Sequence, residues 1–268
     1  MNEPIAILAG PRYLVLIPSY NPGRKGLETV RAARASGEFV CVVVDGSTDG
    51  TGEQLMQMAR SDPALTVLAL SRNSGKGAAI LHGLRDAVAR GFTHVLTMDS
   101  DGQHPAGMIP TFIAASRVQP DALILGKPVF DHTAPRERVI GRRLSNWFVD
   151  LETLHAGIGD SLFGMRVYPA RELLEVMESQ YSMRRFDFDA ESAVRLVWRG
   201  ARPVNLLAPV RYFTREEGGV SHFNYLRDNV VLVSMHVRLI FGFLLRFPLL
   251  LIRRFRSRES AGNDIRTQ

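Results

Sequence analysis

Five short, nearly unbroken apolar runs follow one another in the first 126 residues, each separated from the next by a segment of helical character. The runs are Tyr13 to Pro18, Phe39 to Asp45, Leu65 to Leu70, His94 to Asp99 and Ala122 to Gly126. A strand that is apolar at nearly every position is buried on both faces, as in a parallel sheet covered by helices. The intervening helices are expected over Leu27 to Ser36, Gly52 to Arg60, Gly75 to Arg90 and Pro105 to Ser116. Thr51, with Gln54 three positions on, has the spacing of a capping box, and Gly91 suits the stop of the third helix. Strands alternating with helices predict an α/β fold with right-handed crossovers. Ligands of such sheets bind beyond the carboxyl ends of the strands.

Those ends carry the unusual residues: Pro18-Ser-Tyr-Asn-Pro22, Asp45-Gly-Ser-Thr-Asp49, Asn73-Ser-Gly-Lys-Gly77 and Asp99-Ser-Asp-Gly-Gln-His104. Beyond residue 126 the rhythm loosens. Helices are expected over Arg138 to Leu154 and Ala190 to Trp198, and extended chain over Phe163 to Tyr168 and Pro203 to Tyr212.

The chain has 268 residues, one cysteine and a net charge of +6. This excludes a disulfide scaffold, a collagen-like repeat and a wholly disordered chain. Cys41, inside an apolar run, reads as a buried thiol in a reducing compartment. The positive charge favours acidic partners without choosing among nucleotide phosphates, nucleic acid and anionic lipid. No targeting peptide is evident, since Ile5 to Ala9 is too short for an apolar signal core. No charge-free apolar run reaches 18 residues, so a plain transmembrane helix is not expected. The catalytic body is therefore expected in the cytosol or on the cytosolic face of a membrane.

Asp99 and Asp101 form the most informative pair. Residues two apart at a strand end point the same way, and two converging carboxylates repel unless a cation lies between them. Hard oxygen ligands suit Mg²⁺ or Mn²⁺, which binds through one or two carboxylates plus substrate phosphates. The plain alternative is a polar turn built from turn-forming residues. An EF-hand lacks its further ligands here, and the histidines show no zinc spacing. Asp45 could accept from a nucleobase or a ribose hydroxyl, whereas Asp49 and Thr51 are expected to build the turn and cap the next helix. Lys76 lies in a glycine-flanked loop without the full Walker spacing, where it could face a phosphate. The acidic clusters Asp160 to Arg166 and Phe186 to Glu191 offer either bases or helix caps and partners for nearby arginines.

Four of these segments stand in the order and spacing of family-2 glycosyltransferases: Val15-Leu-Ile-Pro-Ser-Tyr-Asn-Pro22, Val44-Asp-Gly-Ser-Thr-Asp-Gly-Thr51, Asn73-Ser-Gly-Lys-Gly-Ala-Ala79 and Met98-Asp-Ser-Asp-Gly-Gln-His-Pro105. The sequence most resembles the branch similar to dolichyl-phosphate mannose synthase and related bacterial enzymes, strongly over residues 13 to 170 and more weakly to about 225. The resemblance implies a GT-A (Rossmann-like) fold and a nucleoside-diphosphate sugar donor. It places Asp99, Asp101 and Gln103 at the metal, Mg²⁺ or Mn²⁺. It places Pro18, Tyr20, Asn21, Asp45, Lys76, Ser100, Lys127, Arg142 and Arg143 around the nucleotide sugar. Two departures stand out. Val44-Asp45 replaces a pair of consecutive acids, and Gly126-Lys-Pro replaces a frequent Gly-Ser-Arg.

On this reading residues 1–126 bind the nucleotide sugar, 127–226 form the acceptor side, 227–258 are an amphipathic basic and apolar segment, and 259–268 a polar tail. A metal at the acidic pair offsets charge on the departing diphosphate, and attack from the opposite face of C1 inverts the anomeric centre. A hydroxyl acceptor needs a base, for which Asp160, then Glu191 and Asp189, are the carboxylates considered. A lipid phosphate is already anionic near neutral pH and needs none. Arg227, Arg238, Arg246, Arg253 and Arg256 fall within an arc of about 100° on one helix, although Pro248 is expected to kink or split it. Such a helix suits an anionic membrane interface, or else packing on the catalytic body or in a homo-oligomer. Ser221 and His222 precede it as acceptor-side candidates.

The expected function is therefore an inverting, metal-dependent glycosyltransferase for a lipid-linked acceptor at the cytosolic membrane face. The alternatives are a transferase for a soluble acceptor, with the C-terminus as oligomer interface, and a non-catalytic membrane scaffold with a transferase fold. A sugar-nucleotide pyrophosphorylase would carry a Gly-rich basic loop after the first strand, where Pro18-Ser-Tyr-Asn-Pro22 stands. No nucleic-acid partner is expected, because the basic residues concentrate in an apolar segment rather than on an exposed aromatic platform.

Overall fold

The computed structural model describes residues 10–130, 136–214, 216–217 and 225–264. Ser221 and His222 lie outside the described residues, as do the side chains of Arg256 and Arg258. A seven-stranded sheet runs in the order β3-β2-β1-β4-β6-β5-β7. Its strands are β1 (Tyr13–Ser19), β2 (Phe39–Asp45), β3 (Leu65–Leu70), β4 (His94–Thr97), β5 (Ala122–Phe130), β6 (Arg166–Pro169) and β7 (Arg202–Val210). All neighbours pair parallel except at β6, which is antiparallel to both β4 and β5. The helices are α1 (Gly23–Arg34), α2 (Thr51–Ser61), α3 (Lys76–Ala89), α4 (Ile109–Val118), α5 (Arg136–Glu152), α6 (Ala170–Glu178), α7 (Phe188–Arg199) and α8 (Tyr225–Asp264).

The apolar runs work as expected because alternate residues feed two cores. Leu14, Leu16, Cys41 and Val43 pack with α3, α6, α7 and α8 on one face. Val15, Ile17, Val40, Val42 and Val44 pack with α1, α2 and α4 on the other. Every residue of β1 is buried. Cys41 is fully buried, and desolvation pushes its thiol up to about 12. Gly91, at φ 76°, ends α3 in a Schellman turn: its amide donates to Val88 O, and that of Phe92 to Ala87 O.

Local expectations differ from the structure at three places. The capping box does not form: the residue before α2 is Gly50, in the left-handed region, which has no side chain to cap the helix. Asp49 instead accepts from the amide and hydroxyl of Thr51 and from the amide of Gly23. Helix α6 was not foreseen, although Ala170, Leu173, Val176 and Met177 give it a buried stripe. Pro248 neither splits nor ends α8, which continues through it to Asp264.

Helix α8 spans 40 residues, about 60 Å at 1.5 Å per residue. One face, with Met235, Leu239, Phe243 and Leu250, joins the core. The opposite face exposes Leu226, Val230, Val233, Val237, Phe241, Leu244 and Leu245. Its stretch Leu226–Arg254 is long and apolar enough to cross a membrane, with a mean hydropathy of 1.9. Three of the five arginines on the expected stripe contact the catalytic body, the packing alternative for this helix. Arg238 reaches Glu191 and Asp187, the Arg246 guanidinium stacks on Trp198, and Arg253 donates to Trp198 O. Gly242 permits this docking, since a Cβ there would meet the Trp198 ring at 2.9 Å.

Candidate active site

The acidic pair sits just past the central strand β4. Thr97 closes that strand by donating its hydroxyl to Gly164 O at 2.9 Å. Asp99 and Asp101 then lie in a turn beyond the strand rather than on it, so strand alternation does not align them. Asp101 Oδ1 accepts the Gln103 amide at 2.9 Å. The Asp99 amide donates to His104 Nδ1 at 2.9 Å, which leaves the His104 proton on Nε2 and the ring neutral. Burial pushes the His104 pKa down to about 4. Burial, the largest influence, opposes the Asp99 charge, but the Lys76 ammonium leads the attractions that hold that carboxyl below the usual range. The His104 ring meets Phe163 edge-on, 4.5 Å between centroids.

Lys76, the first residue of α3, occupies the middle of the site. Its Nζ lies 2.7 Å from Asp99 Oδ1 and 2.7 Å from Asp189 Oδ2. Burial acts against the ammonium, yet Asp189 and Asp99 together raise its pKa. The sequence suggested a phosphate partner; the structure gives Lys76 two carboxylates. Asp189 is itself buried, and its Oδ1 has no hydrogen-bond partner. Close packing makes the arrangement feasible: a Cβ on Gly164 would meet Lys76 Nζ at 2.7 Å and Asp99 Oδ2 at 2.9 Å.

The other strand ends brace this centre. Asp45 accepts the Ser74 amide at 2.7 Å and the Gly75 amide at 2.8 Å, so both of its oxygens hold the loop that delivers Lys76. Asn21, at φ 41°, receives the Thr48 amide at 2.6 Å and donates its own amide to Ser47 at 3.0 Å. It therefore ties the loop after β1 to the loop after β2. Pro18 is buried within β1, Tyr20 is half-buried beyond it, and Ser100 is buried between the two acids.

Beyond β5, Asp160 accepts from Arg142, from Asn146 at 3.4 Å and from the amides of Leu162 and Phe163. Arg142 also stacks over Phe130, 5.5 Å from the ring centroid. Lys127 and Arg143 are exposed. Glu191 is fully buried and accepts from Ser182, Arg195 and Arg238. Two of the three carboxylates considered as bases are thus held by several donors each, whereas Asp189 keeps one oxygen unpartnered.

Residues that the sequence did not single out complete the frame. Arg166 is fully buried and donates to the carbonyls of Phe163, Asp160 and Asp189, locking the segment before β6 to α7. His236 of α8 contacts Glu152 at 2.9 Å and Ser145 at 3.1 Å. Ser145 meets Ser161, which bonds Asn146, a neighbour of Asp160. Burial, the largest influence, raises the Glu152 pKa. These partners lie far apart in sequence, and the only local signal was a polar residue inside an apolar helix.

The donor set suits a hard divalent ion. Among the described residues no group of three or more His, Cys, Asp or Glu side chains is gathered for a metal. Asp99 keeps 31% of its side chain exposed. Two carboxylates and the Gln103 amide leave the rest of a Mg²⁺ or Mn²⁺ shell to water and substrate phosphates, the usual pattern for such ions.

A mostly parallel sheet with an acidic turn beyond its central strand, and helices on both faces, is the arrangement of the GT-A fold. The chain belongs to glycosyl transferase family 2, whose model matches residues 14–170, and it is a glycosyltransferase. It is 30% identical to the polyprenol monophosphomannose synthase of Mycolicibacterium smegmatis over 228 residues, 82% of this chain and 84% of that protein. It is 28% identical to the undecaprenyl-phosphate mannosyltransferase of Micrococcus luteus over 222 residues, 77% of this chain and 86% of that one. Among solved structures it shares its fold with glucosyl-3-phosphoglycerate synthase from Mycobacterium tuberculosis, determined with Mn²⁺, UDP-glucose and phosphoglyceric acid. That match has a TM-score of 0.59 at 17% identity and covers 88% of this chain and 79% of that one.

Proposed function

We propose that the chain transfers a sugar, with inversion, from a nucleoside-diphosphate donor to a polyprenyl-phosphate acceptor at the cytosolic membrane face. The observation that carries this reading is the acidic turn Asp99-Ser-Asp101 beyond β4, framed by Lys76 and His104. The two relatives named for polyprenol and undecaprenyl phosphate support the acceptor class. So does the exposed apolar face of α8. Arg238, Arg246 and Arg253 are engaged with α7, which favours a helix lying on the membrane over one crossing it.

Asp99, Asp101 and Gln103 would hold Mg²⁺ or Mn²⁺, as the Mn²⁺-bound structural relative suggests. When bound, such an ion offsets the negative charge that builds on a leaving diphosphate. The protein's own part is positional. His104 fixes the acidic turn through the Asp99 amide, and Asp45 fixes the loop on the nucleoside side. Lys127 and Arg143, both exposed, supply positive charge for phosphate groups of the nucleotide sugar, while Asp160 orients Arg142. A phosphate oxygen, already anionic with a second pKa of about 6, attacks C1 without a dedicated base. That agrees with Asp160 and Glu191 being occupied by other donors.

A panel of UDP- and GDP-sugars, assayed for nucleoside diphosphate release with and without polyprenyl phosphate, tests the reading. Release that rises only with the lipid supports it. Equal release with a soluble acceptor favours the second reading, in which the apolar face of α8 joins two copies of the chain.

A further inference from the structure

The acidic turn already carries a cation of its own. Lys76 Nζ stands 2.7 Å from Asp99 Oδ1 and 2.7 Å from Asp189 Oδ2, with only 10% of the side chain exposed. Its backbone has little freedom to withdraw. Asp45 clamps the amides of Ser74 and Gly75, and the Ala78 amide donates to Arg184 O at 3.0 Å. A Cβ on Gly77 would lie 2.1 Å from Met183 O, so the start of α3 is pressed against the segment leading into α7. The side chain is held between a carboxylate just beyond β4 and one in the first turn of α7.

We propose that Lys76 is a built-in counter-cation for the acidic turn, holding Asp99 in place and yielding Asp99 Oδ1 to a divalent ion while it stays on Asp189. The inference rests on the reading of Asp99 as a metal ligand and adds a role for Lys76 and Asp189, which hold no metal themselves. A divalent ion must come within about 2.0–2.2 Å of a carboxylate oxygen. An ammonium at hydrogen-bond distance from the same oxygen blocks that approach and repels the second charge. Asp189 is equipped for the exchange, because its buried Oδ1 has no partner and offers the departing ammonium a second acceptor. Lys76 is thus a positioning residue that competes with the ion it prepares for.

The competition has a direction that no scaffolding role shares. Binding of Mn²⁺ alone, without nucleotide, is followed by electron paramagnetic resonance of the free ion. The proteins compared are wild type, Lys76→Met, Lys76→Arg, Asp189→Asn and Asp99→Asn, each first shown to be folded by circular dichroism. Lys76→Met should bind Mn²⁺ about tenfold more tightly, the order expected when a nearby unit charge leaves a part-buried site. Lys76→Arg keeps the charge and should remain near wild type. Asp189→Asn leaves Lys76 to Asp99 alone and should weaken binding. Unchanged or weaker binding in Lys76→Met overturns the proposal, as does tighter or unchanged binding in Asp189→Asn; should Lys76→Met not fold, the Asp189→Asn result decides. If Asp99→Asn binds Mn²⁺ as well as wild type, the metal reading itself is wrong, a result distinguishable from failure of the Lys76 role.

Discussion

Asp45 at the end of β2 accepts the amide proton of Gly75 at 2.8 Å, and that hydrogen bond couples the second strand to the loop carrying Lys76. Gly75 has φ +104°, and a Cβ there would lie 2.5 Å from Arg184 O, so the loop has one geometry that fits. Asp45→Ala leaves two amides without acceptors and should cost about 2–6 kcal/mol, at about 1–3 kcal/mol per unsatisfied buried group. Urea unfolding reads the loss. On the proposed reading, in which this loop borders the nucleoside, KM for the donor should rise in the same variant. An Asp45→Ala protein of wild-type stability would remove the bracing role.

His104 makes stability depend on pH with a definite sign. The folded protein holds it neutral with a pKa of about 4, against 6.5 for the free side chain. The unfolded chain therefore binds the extra proton first, and stability falls as pH drops from about 6.5 towards 4. At 1.36 kcal/mol per pH unit the window is worth up to about 3 kcal/mol. Comparing urea midpoints of wild type and His104→Gln across this range checks it. The variant should lose that part of the slope, and an identical slope would contradict the assignment.

The faces of α8 can be separated by mutation. Phe241→Glu with Leu244→Glu alters the exposed apolar face and should reduce co-sedimentation with anionic liposomes while leaving the melting temperature within a few degrees. Arg238→Met removes an inward-facing arginine. It should leave liposome binding intact and lower stability by about 1 kcal/mol, because Arg195 still pairs with Glu191. A basic-stripe mode of attachment predicts the reverse ranking.

Trp198 is the anchor of that docking. It is 6% exposed, donates its indole N–H to Glu152 O at 2.8 Å and lies beneath Arg246. Trp198→Ala should cost about 3–5 kcal/mol and expose α8 to limited proteolysis at its docked arginines. Cys41, with its thiol raised to about 12 and no exposure, should resist alkylation at pH 8 in wild type and react once Trp198→Ala has been unfolded by urea.

The strands were legible because burial on both faces writes a continuous apolar run, as in Val40 to Val44. Reversal of β6 was not, since its direction is set by pairing with β4 and β5, more than 40 residues away in sequence. The acidic turn could be picked out by residue type alone. The partner of Lys76 could not: Asp189 lies 113 positions further along the chain, and only folding puts them together. The arginines of α8 show the same limit. A helical arc gives their common side, but only the position of Trp198 and Glu191 tells whether that side faces membrane or protein. Helix α6 had a readable stripe after Pro169, and its nine residues are short for a periodicity argument.

The most direct measurement is transfer of labelled sugar into organic-extractable polyprenyl phosphate product, with Mn²⁺ or with chelator, for wild type, Asp99→Asn and Asp101→Asn. Wild type should form product only with the ion, and each variant should fall by at least about a hundredfold while remaining folded. Product formed at the wild-type rate under chelator, or by both variants, would contradict the proposed role of the acidic turn.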